Sequence, residues 1–242
     1  MNFKEYCEKE IFLPWKDDSA FYSDFAEDYQ MDYLPEPYYE VVAGQNKLFV
    51  LNNNPGIGLD IQLREYIRKN YDRKSYEDIS KSLSAYYQKN LRGNAKFRLD
   101  KMKKICAALG FDGLENVETF FLHSSKMNKR KFLEKYKEKA LPYTDCLKEY
   151  LQDKTVLAIC AVASKQSISR ETLMASDWLM FQAEILGVDF SSAELFPAKE
   201  KEGKISCVFL IQNKKIFVFM MGSNSLPIFT EREYQIMRDK LN

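Results

Sequence analysis

Short apolar runs alternate along the chain with longer stretches whose apolar residues recur at helical spacing. Lys47-Leu48-Phe49-Val50-Leu51 is the first run, bounded by turn formers, and predicts a buried strand. The polar loop Asn52–Gly58 follows, and Leu59–Asn70 then predicts a helix. Tyr76–Gly110 predicts one or two more, with Gly110 as a C-cap. Val117–Leu122, β-branched and aromatic, predicts a second strand closed by His123-Ser124-Ser125. Lys126–Lys139 predicts a basic helix, Pro142 an interruption, and Tyr143–Gln152 a further helix. Thr155–Val162 is almost wholly apolar, as a parallel strand buried on both faces should be. Ser169–Leu186 predicts an amphipathic helix ending before Gly187. Ile205–Gln212 and Ile216–Met221 predict a hairpin joined through Asn213-Lys214-Lys215. Thr230 is placed to cap a last helix, Glu231–Leu241, with Glu233 in its first turn. Strands alternating with helices imply an α/β fold, a three-layer α/β/α sandwich around a mainly parallel sheet.

Residues 1–40 fall outside that alternation. Aromatic anchors (Phe12, Trp15, Phe21, Tyr22, Phe25) stand among acids there, and Pro35 and Pro37 flank Glu36 in a rigid, non-helical turn. We expect an N-terminal extension over 1–40 and one domain over 41–242. Charge divides the same way. Residues 1–40 hold 3 basic and 11 acidic side chains, against 33 and 24 in the remainder, although the whole chain is only +1. A basic body behind an acidic segment suits a polyanionic partner. The segment is expected either to pack on the body or to compete with that partner for a basic groove. The five cysteines are widely spaced with no C-x-x-C pair, so zinc-ribbon and iron–sulfur ligand sets are missing. Reduced thiols, no leader-like start and no apolar run long enough to span a bilayer predict a cytoplasmic protein without membrane or metal. A monomer is expected.

Ligands of open α/β sheets bind at the carboxyl ends of strands. Three polar loops fall there: Asn52–Gly58, His123–Lys126 and Gly222–Pro227. Gly56-Ile57-Gly58 offers part of a dinucleotide fingerprint, but Ile61 stands where the third glycine belongs, and no Gly-Lys-Ser/Thr follows for a P-loop.

Strand, polar residue, Asn54, Pro55, Gly56, then helix resembles the first motif of the uracil-DNA glycosylase superfamily, in particular its mismatch-specific branch with Gly-Ile-Asn-Pro-Gly. Pro35-Glu36-Pro37-Tyr38-Tyr39 resembles the lead-in of uncharacterised bacterial members, and the order of elements is compatible over residues 35–242. The resemblance implies a cofactor-free DNA glycosylase that extrudes a nucleotide and hydrolyses its base–sugar bond. It gives Asn54 the water-holding role, and Asn53, Pro55 and Gly56 a turn that approaches base or phosphate. Phe121 or Phe120 would stack on the base, and His123 and Ser124 would bond base or phosphate. The second motif is matched only partly, by Asn224-Ser225-Leu226. There Asn224 would steady the leaving base and Leu226 would fill the emptied stack, but no proline precedes Ser225. That departure leaves open whether uracil or another non-standard base, such as a modified base of phage DNA, is removed. Lys126 begins a segment of seven basic and two acidic residues suited to phosphate contacts. A non-catalytic nucleic-acid-binding protein on the same scaffold and a nucleotide-binding enzyme of another α/β family are the alternatives.

Overall fold

The computed structural model describes residues 1–17, 22–56, 69, 74–162, 168–201, 204–221 and 229–241. The helix expected over Leu59–Asn70, like the loop Gly222–Pro227, lies outside or almost wholly outside them.

The apolar runs become strands as expected. They are β2 (Lys47–Asn52), β4 (Val156–Val162) and the hairpin β6 (Lys204–Gln212) and β7 (Lys215–Met221). The hairpin turn needs only two residues, Asn213 and Lys214, both left-handed with φ of 51° and 61°. That geometry matches the twist of the strands it joins. Two strands were not anticipated from the sequence. β1 (Tyr38–Val42) begins within the presumed extension, and β5 (Leu195–Lys201) is an edge strand carrying Pro197.

β3 corrects the expected strand Val117–Leu122: it runs from Gly113 to Glu118. Its start is fixed by a close crossing of backbones. A Cβ on Gly44 would lie 2.5 Å from the carbonyl carbon of Asp112. Every β3 residue is buried, Glu115, Asn116 and Glu118 included, whereas the apolar Phe120-Phe121-Leu122 lies past the strand end.

Helical boundaries differ where caps intervene. The basic stretch splits at Tyr136. Asn128 caps α5 (Lys129–Lys135), and α6 (Lys137–Leu151) runs on through Pro142 rather than stopping there. The expected helix Ser169–Leu186 is two: α7 (Arg170–Met174), capped by Ser169, and α8 (Asp177–Leu186), capped by Ser176. Gly187 closes α8 in the left-handed conformation, as anticipated. The remaining helices are α1 (Phe3–Tyr6), continued through a π turn (Cys7–Phe12) into α2 (Leu13–Asp17), then α3 (Tyr76–Asn90), α4 (Gly93–Ala108) and α9 (Glu231–Leu241). Thr230 and Glu233 cap α9 reciprocally.

The strands form one sheet in the order β1-β3-β2-β4-β7-β6-β5. β3, β2, β4 and β7 are mutually parallel, while β1, β6 and β5 pair antiparallel at the two edges. Alternate residues face opposite cores. Phe49 and Leu51 join α3, α6, α8 and the N-terminal helices; Leu48 and Val50 join α4 and α9. Helices therefore cover both faces, a three-layer α/β/α arrangement. The described residues among 1–34 are part of it: Phe12 and Trp15 are fully buried in the first core. β2 sits where chain order reverses, with its successors β3 on one side and β4 on the other. Its carboxyl end is the topological switch point at which such sheets bind ligands.

Candidate active site at the switch point

Three consecutive asparagines leave β2, and each is anchored differently. Asn52 points to the α4 face, where its amide nitrogen donates to Glu118 Oε1 (3.3 Å) and its oxygen accepts from Arg98 (2.8 Å). Asn53 points to the opposite face and accepts from Trp178 Nε1 (2.9 Å) on α8. Their carbonyls accept from the backbone of Thr119 (2.9 Å) and Phe120 (3.0 Å), extending the β2–β3 ladder past the strand end. Thr119 is itself held by Gln182 Nε2 (3.2 Å).

Asn54, half-buried, turns its Nδ2 toward Pro55 O (3.0 Å), Leu122 O (3.1 Å) and Ser124 Oγ (2.9 Å). Two of these acceptors are backbone carbonyls, which cannot donate, so the amide orientation follows from chemistry. Oδ1 faces away, and among the described residues no donor reaches it. Ser124 completes the clasp by donating its backbone N–H to Pro55 O (3.2 Å). Among the described residues, a Cβ on Gly56 would meet nothing within 4 Å.

His123 is buried, not a surface contact. Nδ1 lies 2.7 Å from Gly56 O, and Nε2 lies 2.9 Å from Leu34 O and 3.6 Å from Glu36 Oε1. Burial pushes the imidazole down to about 4, against the two carbonyls, which favour its charged form. Burial likewise pushes the Glu36 carboxyl up to about 8, against the Tyr87 hydroxyl that bonds it. The pair thus holds one proton at neutral pH, on Glu36. Both ring nitrogens face carbonyl oxygens, which only accept, so the single N–H of the neutral ring serves one of them, and the protonated carboxyl stands 3.6 Å from Nε2. Glu118, fully desolvated beside Glu36, is raised too, and its Oε2 has no partner among the described residues.

Asn53, Asn54, Pro55, Gly56, His123 and Ser124 are therefore brought together. Phe121 is placed elsewhere: it is buried against Tyr22, Phe120 and Tyr143. Phe120 is buried as well, among Phe25, Tyr29 and Phe132. The expectation that alternation would leave one of them facing the site does not hold, because both lie beyond the strand. Lys126 is exposed at the rim of a cavity of about 30 Å3 that Ser124 and Asp28 also line, room for a water and not for a base. Asn224, Ser225 and Leu226 lie outside the described residues.

Sequence reasoning missed Trp178, Gln182, Arg98, Glu118 and the His123–Glu36 pair. Only Asn116 and Glu118 carried a signal, as polar residues spaced by two beside an apolar strand. Among the described residues no group of three or more His, Cys, Asp and Glu side chains is placed to hold a metal, and no helix is long and apolar enough to cross a membrane. Comparison with protein-family models, curated proteins and solved structures gave no match to this chain.

Proposed function

We propose that the protein is a DNA glycosylase of the uracil-DNA-glycosylase type, acting on uracil or another non-standard base without a cofactor. One observation carries the reading. At the switch point, Asn54 commits its amide nitrogen to two carbonyls and a hydroxyl, and among the described residues no donor takes its oxygen. An acceptor held in this way can orient a water toward a sugar carbon as positive charge develops there. A carboxylate in its place would face two carbonyl oxygens, which accounts for asparagine here rather than aspartate.

A non-catalytic nucleic-acid-binding protein is the second reading, favoured by the burial of Phe121, which removes the expected stacking platform. The two separate on one experiment. Oligonucleotides carrying uracil or modified bases are incubated with the protein and with Asn54→Ala and Asn54→Asp, and abasic sites are counted. Expected is base release by the wild type, a loss of at least about 100-fold in Asn54→Ala, and no rescue in Asn54→Asp. No abasic product from any substrate moves the conclusion to the second reading. Equal activity in Asn54→Ala removes the water-holding role.

A further inference from the structure

The basic segment singled out by sequence is largely neutralised from within the chain. Lys131 bonds Glu27 (2.7 Å) and Asp28 (2.8 Å), Lys135 bonds Glu27, and Lys139 bonds Asp24 (2.5 Å). Arg130 pairs with Glu134 at 2.7 Å. Acids of residues 24–28 thus occupy Lys131, Lys135 and Lys139.

Helix α4 is the opposite case. It carries Lys96, Arg98, Lys101, Lys103 and Lys104 against a single acid, Asp100. Lys96, Arg98, Lys103 and Lys104 make no ion pair with an acid among the described residues. Leu99, Met102, Ile105 and Cys106 turn inward to the second core, which leaves Phe97, Lys101 and Lys104 along one outer stripe. Phe97 is 57 % exposed, the most exposed large apolar side chain among the described residues after Met1. Lys101 Nζ sits 4.3 Å from its ring centroid. The Phe97 ring thus lies exposed beside Lys101, on a helix where Lys96, Arg98, Lys103 and Lys104 have no acid partner among the described residues. At the other edge of the stripe, Arg98 reaches Asn52, so this surface runs directly to the Asn52–Gly56 loop.

We propose that α4, and not the segment 126–139, is the surface on which a nucleic-acid strand docks, with phosphates against its lysines and an unpaired base on Phe97. Charge complementarity selects a polyanion, and one flat exposed ring among cations suits a base better than a bilayer, which would need a broader apolar face. The inference rests on the nucleic-acid part of the proposed function and is independent of base release.

The test is fluorescence anisotropy with a labelled single-stranded oligonucleotide and its duplex, between about 50 and 200 mM salt. Phe97→Ala and the triple variant K96E/K101E/K104E are compared with K126E/K129E on the rival surface, each checked for an unchanged thermal melt. The triple variant is expected to weaken binding more than about tenfold and to flatten the salt dependence by about two units of slope. Phe97→Ala is expected to weaken single-strand binding about tenfold and duplex binding less. A loss confined to K126E/K129E overturns the assignment. So does a wild type that binds neither oligonucleotide at low salt, or that binds anionic vesicles or polyglutamate instead. Binding through α4 without abasic product leaves this inference standing and removes the glycosylase. Base release with α4 variants binding normally does the reverse.

Discussion

At the scale of single residues, the buried pair His123–Glu36 makes stability depend on pH with a defined sign. Unfolded, the two groups titrate near about 6.5 and 4.3; folded, burial brings them to about 4 and about 8. Between about 4.5 and 6.5 the folded and unfolded pairs each hold one proton, so their contribution is flat. Above about 6.5 the unfolded pair holds none while the folded pair keeps the proton on Glu36. Stability then falls as pH rises, by roughly 2 kcal/mol between about pH 6.5 and 8. Below about 4.5 the unfolded pair gains a second proton first, and stability falls again toward acid. Glu118, raised for the same reason, adds to the alkaline loss. Urea unfolding across pH 5–8.5 should show the decline, and Glu36→Gln should remove its share. A flat or rising profile would sink the assignment. His123 is the chain's only histidine, so imidazole NMR reads the other half without ambiguity: a neutral ring at pH 6.

At the scale of elements, α6 ends on a side chain from another strand. Lys215, at the start of β7 and 1 % exposed, gives its ammonium hydrogens to Leu151 O (2.7 Å), Gln152 O (2.9 Å) and Lys154 O (2.6 Å). Burial pushes this lysine down to about 8, yet the three carbonyls, at the negative end of a helix, favour the charged form. Lys215→Met keeps most of the buried stem and strands those acceptors. The expected loss is about 3 kcal/mol, a Tm lowered by roughly 6–12 °C for a chain of this size. A melt unchanged within 2 °C (roughly 1 kcal/mol or less) would mean that water takes over the carbonyls. Nothing in the spacing of Lys215 announced this role, because a lysine closing a hairpin turn normally lies in solvent. β3 was misplaced for a related reason: Glu115, Asn116 and Glu118 are answered by Tyr150, Tyr39 and Asn52 from elsewhere, so its polarity hid a central strand.

At the scale of the molecule, the described residues among 1–34 pack into the core. Trp15 is fully buried with its Nε1 donating to Met31 O (2.8 Å), and Gln30 bridges the backbone of His123. Deleting 1–34 should abolish the cooperative unfolding transition, and Trp15→Ala should cost about 3–5 kcal/mol. A soluble truncation with a native melt would show the segment to be dispensable. The sequence by itself determined what is local. Apolar runs placed β2, β4, β6 and β7; Gly187 and Thr230 marked helix ends; the Asn54-Pro55-Gly56 turn was located at a strand's carboxyl end. Each of these depends on neighbours a few residues away. Tertiary structure alone decided the strand order that makes β2 the switch point. It also set the meetings of Asn53 with Trp178, 125 residues on, and of Asn54 with Ser124, 70 residues on. It paired acids of residues 24–28 with the basic segment and left Lys96, Arg98, Lys103 and Lys104 of α4 without an acid partner among the described residues. The physical reason is that burial periodicity is written into each element separately. Which polar groups share a desolvated space, and which charges cancel, depends on how those elements are stacked.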